Sequence, residues 1–573
     1  MANTGVAEGV DRAAHAWIKS YPEGVDWNMA LEPAPLFHLM DAAVARSATL
    51  PCTTFLGRTL SYGEIGALVD RAATGLQQLG VVKGTKVGLL LPNTPTYVVY
   101  YFAILKAGGV VVNFNPLYSL EELAFQVKDS ETELMITLDL KLLFDKVETL
   151  IADKALKGAV VASFADLLPA AKAVLFKLFK SKELARPRSS PVREKLRLES
   201  EVLADPALFE PVAIDPVSDI AVLQYTGGTT GTPKGAMLTH ANIFCNVEQI
   251  GAWAPELVYG EEKSLAALPF FHVFAMTVIL NLGVKFAAEM FLMPRFVLND
   301  ALDLLHKHRL TVLAGVPTLF NAILNHPQVK SFDLSCLKFC LSGGAALPAE
   351  VKERFDTVTG CSLVEGYGLS EASPVVTCNP LDTPARRGSI GLPIPGTIVS
   401  LRDLTDPTRE VPKGERGEIC IAGPQVMKGY WNKPAETAAQ FAGAYLRTGD
   451  VGVMDDDGYF FIVDRIKDLI ICSGYNVYPR RIEEALYEHP AVEEAIVIGV
   501  ADKYRGEAPK AFVKLKAGAT VTRGDLMKHL EVKISKLELP SEIEFRDSLP
   551  KTMIGKLSKK ELKAEESQKT RGS

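Results

Sequence analysis

The stretch 225–235, Tyr-Thr-Gly-Gly-Thr-Thr-Gly-Thr-Pro-Lys-Gly, gathers glycines, hydroxyls and one lysine in a form suited to holding polyphosphate. Gly227, Gly228 and Gly231 permit close backbone approach and turned amides. Thr226, Thr229, Thr230 and Thr232 offer hydroxyl donors, and Lys234 supplies a cation. This is not a Walker loop, which needs Gly-Lys-Ser/Thr opening a helix. Lys234 lies between Pro233 and Gly235, so no helix runs on from it. The preceding run 219–224, Asp-Ile-Ala-Val-Leu-Gln, reads as a buried strand and places the loop at a strand's carboxyl end. Taken alone, the same composition would also serve a plain surface loop.

Six further segments carry groups able to do chemistry. They are 268–272 (Leu-Pro-Phe-Phe-His), 342–346 (Ser-Gly-Gly-Ala-Ala), 365–371 (Glu-Gly-Tyr-Gly-Leu-Ser-Glu), 445–450 (Tyr-Leu-Arg-Thr-Gly-Asp), 464–469 (Asp-Arg-Ile-Lys-Asp-Leu) and 550–556 (Pro-Lys-Thr-Met-Ile-Gly-Lys). Together with the loop, and in this order, they resemble the acyl-adenylate-forming (ANL) superfamily of acyl-CoA synthetases, luciferases and peptide-synthetase adenylation domains. Such enzymes join a carboxylate to ATP, and bringing one anion onto another requires cations and oriented donors.

The resemblance implies a role for each residue. Lys556 would bridge the attacking carboxylate, the ribose and the α-phosphate, and Glu371 would hold Mg²⁺ on phosphate oxygens. Tyr367 would lie against adenine, Gly344, Ala345 and Ala346 along its other side, with Glu365, Gly366, Gly368 and Ser370 completing the nucleotide contacts. Ser370 stands where much of the family has threonine and keeps the hydroxyl. Asp450 would accept the ribose hydroxyls, and Arg465 would hold the ribose and phosphate end. Lys467 takes the hinge position about which the C-terminal domain swings, and Ser473, Gly474 and Tyr475 would then line a channel for CoA. By its surroundings His272 reads as a packed core histidine. The resemblance makes it a gate beside the acyl carboxylate, neither acid nor base. Cys472 has no activating neighbour in sequence and reads as a buried apolar residue.

The segment 169–182 points to a substrate class. Read as a helix, Ala171, Val174, Leu175, Leu178 and Phe179 share one face, with Lys172, Lys177, Lys180 and Lys182 supplying charge. The face either packs on the body of the protein or meets a membrane surface that supplies fatty acid. With 115–118, 423–431 and 474–479, this segment is similar to bacterial long-chain fatty-acid–CoA ligases. That subgroup implies conversion of long- and medium-chain fatty acids to acyl-AMP and then acyl-CoA, with ATP and CoA as co-substrates. An acyl-AMP ligase, or another acyl- or aryl-CoA ligase, is the rival within enzymes. A non-catalytic fatty-acid binder should lack Lys556, Glu371 or Asp450, and all three are present.

These residues must be positioned by an α/β framework. Between about 60 and 380, apolar runs at 86–91, 110–113, 134–138 and 311–315 alternate with helical patterns, which predicts parallel sheets wrapped by helices. Beyond Gly388, short strands such as 417–422 and 458–463 predict a small β-barrel. The expected organisation is an N-terminal domain over 1–463 with two α/β subdomains and the barrel, a hinge at 464–469, and a small α+β C-terminal domain over 470–573.

A chain of 573 residues exceeds one core. The formal charge of −6 argues against nucleic acid as a partner. Eight cysteines without CxxC spacing fit a reduced, cytoplasmic compartment, with the inner face of the cell membrane as a peripheral site. The apolar stretches 97–112 and 264–284 read as buried core, not membrane spans. The oligomeric state is left open, a homodimer included.

Overall fold

Each expected parallel strand forms, and each is preceded or followed by a helix whose start is written locally. Thr94 caps the helix Pro95–Lys106, with proline at its first position, and Thr239 and Asn242 form a reciprocal capping box at His240–Trp253. The computed structural model describes residues 15–226, 233–381, 386–472, 475–502, 504–552 and 555–571.

Among these residues one sheet runs, in spatial order, through Leu196–Leu198, Gly158–Ala162, Leu134–Leu138, Lys86–Leu89, Val110–Asn113, Ile220–Thr226 and Lys234–Thr239. All its pairings are parallel except the last, where Ile220–Thr226 and Lys234–Thr239 run antiparallel. A second sheet has a parallel part, Leu363–Gly368, Phe339–Gly343, Val312–Gly315, Lys263–Ala266, Glu289–Leu292 and Pro51–Phe55. These two sheets are the α/β halves of the framework. The apolar stretch at 97–112 becomes a helix and strand buried except for the partly exposed Lys106, and no described helix is long and apolar enough to cross a membrane.

The short strands after Gly388 do not stand apart. Ile398–Arg402, Gly417–Ala422, Tyr445–Met454, Phe460–Arg465 and Ser389–Pro393 pair antiparallel in that order, and Ser389–Pro393 joins Val375–Cys378 of the second sheet. A third sheet holds Tyr475–Val477, Ile470–Cys472, Gly506–Leu515, Val492–Asp502 and Glu542–Phe545. Its core is its own. The large apolar core runs in sequence from Trp17 to Phe460, whereas Ile470, Ile482, Leu486, Val497, Val513 and Leu526 belong to a separate cluster.

The helix Ala170–Phe179 has no buried residue. Ala173 and Phe176 rest against the main core, Phe176 with its ring 5.0 Å from that of Phe164. The face expected to be apolar points outward: Val174, Leu175, Leu178 and Phe179 are 58%, 53%, 68% and 79% exposed.

Candidate active site

The phosphate-binding candidate is flanked by two strands that pair antiparallel. Thr226 pairs with Lys234 across it, so the expected strand is followed by a second strand, where a Walker loop would have a helix. Gly227, Gly228, Thr229, Thr230, Gly231 and Thr232 lie outside the described residues, as do Ser473 and Gly474. The strand pair is braced at its foot. Tyr225 donates its hydroxyl to Asp129 at 2.7 Å, and Lys433 pairs with the same carboxylate at 3.0 Å. Backbone bonds from Trp431 to Gly235 and from Lys428 to Met237 lay the segment 427–431 along the second strand.

That segment also reaches Glu371. The amide of Met427 donates to the Glu371 carbonyl at 2.8 Å, and the Tyr430 hydroxyl donates to Glu371 Oε1 at 2.7 Å. The Tyr430 ring lies 5.1 Å from the Lys234 ammonium. Burial, then the Glu371 charge and hydrogen bond, push the Tyr430 phenol well up, so it stays a donor. No cluster of three or more His, Cys, Asp or Glu able to hold a metal occurs among the described residues. A lone carboxylate such as Glu371 would suit Mg²⁺, which takes one or two carboxylates and completes its shell with water and substrate phosphates.

Strands of the second sheet bring together the groups expected around the nucleotide base and ribose. Tyr367 donates to Asp450 Oδ2 at 2.7 Å, and Arg465 Nε lies 2.9 Å from Oδ1, with Asp450 and Arg465 paired across adjacent strands. Asp450 thus already holds one partner on each oxygen, and each oxygen keeps a lone pair able to accept a further hydrogen bond. Glu365 is buried, and burial pushes its carboxyl up to about 7 against the pull of Arg480. Gly344, Ala345 and Ala346 are exposed along the opening.

Lys556 comes to this place from the far end of the chain. A Cβ on Gly344, whose φ is +80°, would lie 2.5 Å from Lys556 Cε, so the lysine passes where only glycine leaves room. Burial, then the neighbouring Arg465, lower the Lys556 ammonium to about 8, with Asp450 pulling the other way. His272 is close enough to feel the lysine: burial, then Lys556, push its imidazole down to about 3. Its Nδ1 accepts from the Phe274 amide at 3.2 Å, which leaves the proton of the neutral ring on Nε2. Neutral at physiological pH and able to donate from Nε2, His272 is unsuited to serve as a base there.

Lys467 sits in the turn Ile466–Asp468, where burial, then Arg465, lower it to about 8. Asp464 receives the amides of Arg465 at 2.7 Å and Arg480 at 3.0 Å, tying this turn to the start of the helix Pro479–Tyr487. Tyr475 is exposed, and Cys472 is fully buried. Sequence reasoning missed Tyr430, Asp129 and Arg480 as site residues. Tyr430 stood in the segment 423–431 with no local sign of its partner.

The family of AMP-binding enzymes matches residues 40–431, and the AMP-binding enzyme C-terminal domain matches residues 481–556. The chain belongs to the AMP-binding enzymes. Among its relatives in that family, a long-chain-fatty-acid–CoA ligase of Bacillus subtilis (strain 168) is 42% identical over 553 residues, 96% of this chain and 98% of the relative. Among solved structures, ATP-bound MatB from Rhodopseudomonas palustris superposes with a TM-score of 0.80 at 30% identity, covering 93% of this chain and 99% of MatB. Apo MatB from the same organism gives a TM-score of 0.73 at 29% identity over the same coverage.

Proposed function

We propose that the chain activates long- and medium-chain fatty acids with ATP, forming acyl-AMP and pyrophosphate, and then transfers the acyl group to CoA with release of AMP. The observation that carries this reading is the convergence of Lys556 with Gly344, Asp450, Arg465 and His272 across more than two hundred residues of sequence. The long-chain-fatty-acid–CoA ligase relative, similar over nearly its whole length, supports the acid class.

In the first half-reaction a carboxylate oxygen attacks the α-phosphorus, and the bond to the β-phosphate breaks with its electron pair leaving on pyrophosphate. Lys556 and Arg465 supply positive charge on the ribose and α-phosphate side. Lys234 and the hydroxyls of 226–232 hold the β- and γ-phosphates. Mg²⁺ bound at Glu371 would offset charge as pyrophosphate leaves. Tyr367 with 344–346 encloses adenine, Glu365, Gly366, Gly368 and Ser370 complete the nucleotide site, and Asp450 takes the ribose hydroxyls. His272 donates from Nε2 at the acyl carboxylate and gates it. The higher superposition on ATP-bound than on apo MatB supports reading this arrangement as the adenylation state.

In the second half-reaction the CoA sulfur attacks the acyl carbon, and AMP leaves. The separate C-terminal core supports a domain over 470–573 that rotates about Lys467 in the hinge 464–469, withdrawing Lys556 and presenting Ser473, Gly474 and Tyr475 to the pantetheine arm. Thioester formation measured across acids of graded length tests the substrate class. A preference for aryl or short acids would overturn it.

The exposed face of Ala170–Phe179 favours a membrane surface over packing on the body. Four large apolar side chains beside Lys172, Lys177, Lys180 and Lys182 suit an anionic leaflet, where fatty acid partitions. On this reading the enzyme would work peripherally at the inner face of the cell membrane.

A further inference from the structure

We infer that the Thr318 hydroxyl is the point on the N-terminal domain to which the Lys556 segment docks, making Thr318 a positioning residue for adenylation. The inference rests on the proposed role of Lys556. Thr318 is the second residue of the helix Pro317–Leu324, and its Oγ1 donates to the carbonyl of Gly555 at 2.8 Å, across 237 positions of sequence.

The accepting carbonyl belongs to the residue immediately before Lys556, whose neighbours are bonded back to Thr552. Gly555 donates to the Thr552 carbonyl at 2.8 Å, Thr552 donates to the Lys556 carbonyl at 2.7 Å, and the Lys556 amide donates to Thr552 Oγ1 at 3.1 Å. Lys551 and Leu557 bridge at its base. Fixing that carbonyl fixes the Lys556 backbone. Gly555 has φ +83°, which favours glycine, and a Cβ there would lie 3.0 Å from Thr318 Oγ1 and 3.4 Å from Val316 Cγ2, a tight approach.

Seating Lys556 is opposed by its own chemistry. The ammonium is buried beside Arg465, and both effects disfavour its charge. The other ion pairs from the C-terminal segment to the body, Lys516 with Glu350 at 3.1 Å and Arg387 with Glu488 at 3.9 Å, involve partly or largely exposed groups and hold weakly. The Thr318 bond lies next to the residue it would position.

The test uses the full chain with two assays: pyrophosphate release without CoA, and thioester formation from supplied acyl-AMP. Thr318→Val is expected to slow the first roughly 3- to 10-fold, the loss of one hydrogen bond, and to leave the second unchanged. Thr318→Ser, which keeps the hydroxyl, restores the first rate, and KM for ATP stays at the wild-type value in both variants. If Thr318→Val does not fold, Thr318→Ala takes its place under the same criteria. Lys556→Ala is run beside them. Equal loss of both half-reactions in Lys556→Ala overturns the role of Lys556 and the inference with it. Selective loss in Lys556→Ala, with Thr318→Val slowing both assays or neither, overturns the inference alone.

Discussion

The Tyr430 hydroxyl donates to Glu371 Oε1 at 2.7 Å while the Tyr430 ring lies 5.1 Å from the Lys234 ammonium. One side chain therefore touches both the carboxylate proposed for Mg²⁺ and the lysine proposed for phosphate. Tyr430→Phe keeps the ring and loses the hydroxyl. It should raise the Mg²⁺ concentration needed for half-maximal pyrophosphate release by about tenfold or more, the effect of one hydrogen bond to a charged group. Titration calorimetry of ATP with and without Mg²⁺ should show weaker binding only when the metal is present. An unchanged Mg²⁺ titration would leave Tyr430 with a packing role alone.

Lys556→Ala should lower acyl-AMP formation by at least 100-fold, because a cation is lost where negative charge develops. Thioester formation from supplied acyl-AMP should stay within about twofold, since the proposed second state does not use this lysine.

The Lys556 ammonium, lowered to about 8, sets a pH limit for the enzyme before ATP binds. The working form is the protonated one. ATP capture by the free enzyme, read as kcat/KM for pyrophosphate release, should therefore fall as pH rises through about 8, where an ordinary lysine would hold its charge to about 10. Lys556→Arg should move that fall to higher pH. A profile flat to pH 10 in the wild type would refute the assignment.

Lys467→Pro should act in the opposite sense to Lys556→Ala. Fixing φ in the turn Ile466–Asp468 hinders rotation of the C-terminal domain more than it disturbs the arrangement already seated. Acyl-AMP should form and accumulate while CoA transfer slows. Full overall turnover in this variant would place the hinge elsewhere.

Leu175 and Phe179 face solvent, so changing both to Ser should leave the melting temperature within about 1 °C of wild type and weaken binding to anionic vesicles. Charge reversal at Lys172, Lys177, Lys180 and Lys182 should weaken it further, each lysine contributing about 1 kcal/mol at low salt. High salt should erase the lysine contribution. Co-sedimentation at two ionic strengths measures both effects, and binding unaffected by either set of changes would remove the membrane from the proposal.

Much of the framework was legible because its signals are local. Val110–Asn113, Leu134–Leu138 and Gly417–Ala422 form as the apolar runs indicate, and the helix Ala170–Phe179 lies within the stretch after Pro169 that its periodicity marked. The loop's lack of helical continuation was readable from Pro233, but not that a strand would follow and pair back from Lys234. Residues named from motif order, Asp450, Tyr367, Arg465 and Lys556, lie close together. The supporting contacts of Tyr430 with Glu371, Asp129 with Tyr225 and Thr318 with Gly555 were not legible, because each joins residues at least 59 positions apart. No spacing rule reaches that far. Nor could periodicity say which way the helix face would turn, since an apolar stripe has the same pattern packed or exposed.

The large core runs in sequence only as far as Phe460, and the smaller one begins at Ile470. Unfolding and many binding events carry a large heat-capacity change because they move apolar surface between water and a core. Rotation about the intervening turn would exchange mainly polar contacts such as Thr318 with Gly555 and Lys516 with Glu350, and would open neither core. The step between half-reactions should therefore have a heat capacity near zero. Its equilibrium should follow a straight van't Hoff line over the range where the protein stays folded, and dissolved ions should shift it more readily than warming.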